Sequence, residues 1–179
     1  MRFLLSISRG IDWVNERFGY AADIAVVLAC LISAGNAMVR YAFDMSSNAW
    51  LEIQWYLFTI TVMLGASYTL KLNEHVRVDL TYMMLSERGK EILDLLGAIL
   101  FLVPTMVLLA FLSWPLFQLA WDTQEISSSA GGLIRWPVKL LVPIGFGLIA
   151  LQGVSEVIKR AAALHGNIRF ESHYERPVQ

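Results

Sequence analysis

Four long stretches without a charged side chain constrain this 179-residue sequence more than any other feature. They are Ile24–Val39, Ile53–Leu70, Leu95–Trp121 and Leu140–Ser155. A helix that crosses the hydrocarbon core of a bilayer needs about 20 mostly apolar residues. The first and last stretches reach that length once flanks such as Gly19–Ala22 and Trp136–Val138 are added. The expected fold is an all-α integral membrane protein with four transmembrane helices, spanning about 19–42, 50–71, 92–121 and 136–158. Pro104 and Pro115 predict a tilt, a kink or an early exit in the third. Residues 1–165 are expected to form a single membrane domain, followed by a cytoplasmic tail over 166–179.

Composition agrees. Hydrophobic residues make up 56% of the chain and charged residues 16%, whereas soluble domains are about one quarter charged. A net charge of −1 argues against nucleic acid as a partner. The single cysteine, Cys30, has no partner for an internal disulfide and is expected to be a small buried side chain. Only Phe3–Ser8 separates Arg2 from Arg9, which is too short for the apolar core of a secretory signal.

Basic residues set the expected orientation, because cytoplasmic flanks collect Lys and Arg. Arg2, Arg9 and Arg17 precede the first stretch, and Lys71, Arg77, Arg88 and Lys90 lie between the second and third. Lys159, Arg160, Arg169 and Arg176 follow the fourth, so these eleven fall on one side. The other side has Arg40, Arg135 and Lys139. Both termini are therefore expected in the cytoplasm, with Trp50, Trp121 and Trp136 at the outer headgroup level. Before the first span, Ile7, Ile11, Val14 and Phe18 recur at helical spacing opposite Arg9, Asp12, Asn15 and Glu16. That pattern predicts a short N-terminal amphipathic helix lying in the inner interface, with Trp13 on the same side.

The run Asn73–Asp79 concentrates charge in an oily chain. His75 and Asp79 are four residues apart and would share a helix face, as metal ligands can. No second cluster of His, Cys or carboxylates supplies the remaining ligands, so no metal or other cofactor is expected. The alternative is an interfacial amphipathic helix between spans two and three, with Val76, Leu80, Met83 and Met84 dipping into lipid or a neighbour. Ser86, Glu87 and Arg88 read as a helix start leading into the third span. The three histidines, His75, His165 and His173, lie outside the uncharged stretches. This counts against haem ligation within the spans, and so against the alternative of a membrane-anchor subunit of a redox complex. Those stretches offer Asn36, Gln54, Gln118 and Gln152, which are expected to hydrogen-bond between helices. No carboxylate lies in them to couple ion movement. The residues thus describe a non-enzymatic scaffold or accessory subunit.

The segments "NAMVRYAF", "NAWLEIQWYLF", "LGASYTLKLNEHVRVDL", "EISSSAGGLIRWPVKLLVPIGF" and "LQGVSEVIK" occur here in order. Together they resemble the small membrane subunit, the Q or DctQ type, of tripartite ATP-independent periplasmic (TRAP) transporters, from about Gly35 to Lys159. The resemblance implies a bacterial inner-membrane complex with two protein partners. One is a large TRAP membrane subunit that carries the substrate and sodium sites. The other is a periplasmic solute-binding protein that delivers an organic solute, commonly an organic acid. Arg40, Trp50 and Glu52 match the outer-side motif of the family, and Arg40 and Glu52 are expected to pair across the first connection. His75, Arg77 and Asp79 match the inner run and are expected to contact a partner or membrane lipids. The resemblance makes "EISSSAGGLIRW" the largest outer loop, with Gly131-Gly132 allowing a tight turn. Asp122, Glu125 and Arg135 are its candidate contacts for the binding protein.

Overall fold

The computed structural model describes residues 2–45, 47–75, 85–129 and 131–165. Among them are five α-helices: α1 (Arg2–Phe43), α2 (Asn48–Leu72), α3 (Glu87–Gly97), α4 (Val103–Asp122) and α5 (Trp136–Leu164). A π-helical turn, Ala98–Leu102, joins α3 to α4. The expected surface helix between spans two and three, and the C-terminal tail, lie outside the described residues. Three helical segments are long and apolar enough to cross a membrane: Phe3–Phe43, Arg88–Asp122 and Trp136–Leu164. The other long helix, α2, has 25 residues, and Glu52, Gln54, Tyr56 and several hydroxyls dilute its hydropathy.

Antiparallel packing of α1 on α2 brings Glu16 to Lys71, Gly19 to Tyr68 and Ala22 to Gly65. Helix α5 touches every other helix and is the hub of the molecule. Ala22, Leu64 and Leu148 form the buried centre of α1, α2 and α5, with Val14, Phe18, Ala21, Ile60 and Leu141 packed around them. Two glycines let the hub approach its neighbours closely. A Cβ on Gly145 would lie 2.7 Å from Met63 Cβ and 2.8 Å from its carbonyl oxygen. One on Gly153 would lie 2.9 Å from Val103 Cγ2, where α5 meets the end of the π turn.

The apolar segment Arg88–Asp122 runs through Pro104, where an α-helix would lose a hydrogen bond and crowd a carbonyl one turn back. The wider π turn absorbs this conflict: Val103 N–H reaches back five residues to the Ala98 carbonyl, immediately before the proline. At the start of α3, Ser86 caps the helix as expected, its Oγ accepting from Gly89 N–H at 3.2 Å.

Two expectations need correction. The N-terminal amphipathic segment is not a separate surface helix, because α1 is continuous over 42 residues, or about 63 Å at 1.5 Å per residue. Its polar face does not point to water either: Asn15 and Ser8 are fully buried against α5. Cys30 is exposed rather than buried. It lies on the C-terminal half of α1, where Leu28, Leu31 and Val27 are also exposed and face whatever surrounds the chain.

Candidate functional site

The expected outer site grows from the connection between α4 and α5. Gln124 adopts a left-handed conformation (φ 46°) that turns the chain out of α4, and Glu125 N–H returns to the Ala120 carbonyl at 3.0 Å. An antiparallel bridge then pairs Ile126 with Ile134. Its frame is Ser127 N–H to the Leu133 carbonyl at 3.0 Å and Arg135 N–H to the Glu125 carbonyl at 2.9 Å. Gly131 supplies the positive φ of 73° at the tip, and Gly132 sits where a Cβ would lie 2.6 Å from Ser127 Cβ. The expected tight turn thus needs both glycines. At the loop's feet, Trp121 and Trp136 meet edge to face with centroids 4.7 Å apart.

Glu52, in the first turns of α2, is buried beneath this loop. One carboxylate oxygen accepts from the Ser127 hydroxyl and the other from Leu133 N–H at 2.8 Å. Nearby, Tyr56 donates its hydroxyl to the Ile134 carbonyl at 3.0 Å. Glu125 is held by Lys139 and by Arg135, the latter at 3.1 Å. The Lys139 hydrogen bond is the largest influence on the Glu125 carboxyl and keeps it below its ordinary value of 4.5. Of the three expected loop charges, Glu125 and Arg135 are therefore paired with one another, while Asp122 is exposed at the end of α4.

The expected Arg40–Glu52 pair is replaced by these loop contacts. Arg40 is exposed in the last turn of α1 and lines a cleft of about 580 Å³ with Ser33, Asn36, Asp44 and Gln54. Glu52 lies on the α2 face turned towards α5's leading loop, because α2 packs between α1 and α5. Trp50 is half exposed beside a separate apolar crevice lined by Leu31, Gly35 and Val39. His75 is exposed just after α2 ends. Arg77 and Asp79 lie outside the described residues. Among the described residues, no group of three or more His, Cys, Asp or Glu side chains is placed to hold a metal ion.

A second site, at the expected inner ends of the helices, was not read from the sequence. Asn15 Nδ2 donates to Gln152 Oε1 at 2.7 Å. Gln152 Nε2 in turn reaches Asp12 Oδ1 at 3.0 Å and Glu156 Oε1 at 3.1 Å. Ser155 bonds Ser8 at 2.7 Å and Asp12 at 2.9 Å. Lys159 Nζ lies 2.8 Å from Asp12 Oδ2 and 2.9 Å from Glu156 Oε1, bridging the two carboxylates. One residue on, Arg160 ties α3 through Glu91 at 3.1 Å and Asp94 at 2.8 Å. Lys71 joins α2 to Glu16 of α1 at 3.0 Å. Gln152 therefore fulfils the expected interhelical role. The available signal was the spacing of Gln152, Ser155, Glu156 and Lys159 on one face of α5, facing Ser8, Asp12 and Asn15 on one face of α1.

A family model described as "Tripartite ATP-independent periplasmic transporters, DctQ component" matches residues 28–163. No curated protein and no solved structure matches the chain. The match takes in the outer loop, Glu52 and the whole α5 side of the inner site. The α1 side of that site, Ser8 to Asn15, precedes it.

Proposed function

The chain belongs to the DctQ component family of TRAP transporters, and from that premise we propose that it is the scaffold subunit of a sodium-coupled, binding-protein-dependent transporter. In this reading it spans the bacterial inner membrane four times as one domain, with both termini in the cytoplasm. Its four-span form needs α2 in the bilayer despite its polar content. In support, Thr59, Thr61, Ser67 and Thr69 spend their hydroxyls on carbonyls of α2 itself, at 2.9–3.2 Å, and so need no outside partner in lipid.

The observation that carries the scaffold reading is the cross-tying of the helices at their inner ends. Residues 152–160 of α5 are joined to α1 and α3 by buried hydrogen bonds and ion pairs. A buried charge network of this kind holds the helices in one arrangement, since separating any pair strands a charge. Such a frame suits a static platform against which a larger subunit moves. The solute, expected to be a carboxylate, is recognised by that subunit and by the binding protein. The binding protein docks on the outer loop over Asp122–Arg135, while Arg40, Trp50 and the run His75, Arg77 and Asp79 serve partner or lipid contacts.

Reconstitution tests the proposal. In proteoliposomes carrying a sodium gradient, this chain alone should take up no solute, and adding the large subunit and the binding protein should establish uptake. Uptake by this chain alone would overturn the scaffold reading.

A further inference from the structure

We infer that Glu52 is a positioning residue for docking: its buried carboxylate sets the shape of the outer loop and thereby the affinity of the complex for the binding protein. The inference rests on the loop being the docking element, as proposed above. Glu52 itself is 6% exposed, so it acts through the loop and not by touching a partner.

The geometry is specific to a carboxylate. Its two oxygens take donors from opposite strands of the loop, the Ser127 hydroxyl and Leu133 N–H. Those same two residues are joined by Ser127 N–H to the Leu133 carbonyl. The carboxylate therefore closes the bridge from beneath, and bonds to an ionised acceptor are stronger than neutral ones. Above the bridge, Ile126 and Ile134 are the exposed pair, 62% and 48% accessible, and Arg135 follows directly. Fixing 127 and 133 fixes where these three side chains point. A loop ordered before the partner arrives loses less entropy on binding, which raises affinity without any new contact. Glu52 is fixed in turn by its place on α2, which packs on both α1 and α5, so the loop takes its orientation from the bundle.

Hydrogen exchange of the reconstituted complex in nanodiscs, with a titration of fluorescein-labelled binding protein, tests this. Glu52→Ala should speed exchange of the 126–135 amides about tenfold or more, given the loss of two bonds to a charged group. Ser127→Ala removes one bond without touching the bundle and should give a smaller increase in the same amides. Glu52→Gln, which can still accept from one donor but carries no charge, should restore only part of the protection lost in Glu52→Ala. Half-saturating binding-protein concentrations should rise in the same order, at unchanged yield of assembled complex. Unchanged exchange in both alanine variants overturns the positioning role. Faster exchange with an unchanged titration overturns the link to docking. If labelled protein fails to bind the wild-type complex, the docking-loop reading itself fails, and the exchange data still decide what Glu52 does to the loop.

Discussion

At the residue scale the inner site turns on Gln152, whose amide is the one group in contact with Asn15, Asp12 and Glu156 together. A buried polar atom that loses its partner keeps its full desolvation penalty, whereas removing both members of a pair can be nearly neutral. Gln152→Leu should therefore destabilise the isolated chain by about 1–3 kcal/mol. Adding Asn15→Leu should recover part of that loss, because the two amides then leave together. Thermal unfolding in detergent, followed by tryptophan fluorescence, measures both; additive losses would mean the pair is not coupled. Lys159 has a different role, since it brings a positive charge to the same two carboxylates on facing helices.

At the scale of elements, α1 and the outer loop each owe their form to contacts outside themselves. The N-terminal half of α1 carries an apolar stripe that would suit a membrane surface, yet it continues unbroken into the rest of α1, with Ser8, Asp12 and Asn15 of its polar face against α5. Trp13 stays outside, with the Arg17 guanidinium 5.3 Å above its ring. The loop is held at its base by Glu125, whose carboxyl is kept below its ordinary value first by Lys139. A carboxyl lowered in the folded state contributes stability that is complete above its unfolded value and lost as pH falls through the folded one. A nitroxide on a Ser128→Cys variant should thus keep the same mobility from neutral pH down to about 4.5 and loosen only below it. In a Glu125→Gln background it should already be looser at neutral pH. A transition centred above the ordinary carboxylate value would contradict the pairing.

For the whole molecule the organising fact is that α5 contacts everything else. Its outer end meets α2 through the loop, its middle meets α2 at Gly145, and its inner third carries the polar ties. The faces left over on α1, the π turn and α4, such as Leu31, Phe101 and Phe111, are large, apolar and exposed, and lipid or a membrane partner is what such surfaces require. The proposed orientation follows from the basic residues. In a Cys30→Ser background, a cysteine at Ser128 should react with an impermeant thiol reagent added to intact spheroplasts, and one at His165 should not. The opposite pattern would reverse the topology.

The helices, their approximate limits and the Ser86 start could be read from the sequence, because uncharged length and capping residues are local properties. So could the family, through ordered segments that span most of the chain. Charge periodicity also showed that Asp12, Asn15 and Glu16 share a face on α1, and the same kind of spacing was available, unread, at the end of α5. It did not show what those faces meet. Ser8, Asp12 and Asn15 have the same spacing whether water or another helix lies opposite, and only packing against Gln152–Lys159 decided that they are buried. Glu52 makes the same point more sharply. Its neighbour in sequence, across a short connection, is Arg40, while its actual partners are 75 and 81 residues away. A buried carboxylate goes to the donors that packing brings within reach, and sequence distance carries no information about that. Periodicity determined the faces of this protein; the tertiary structure alone decided how they were paired.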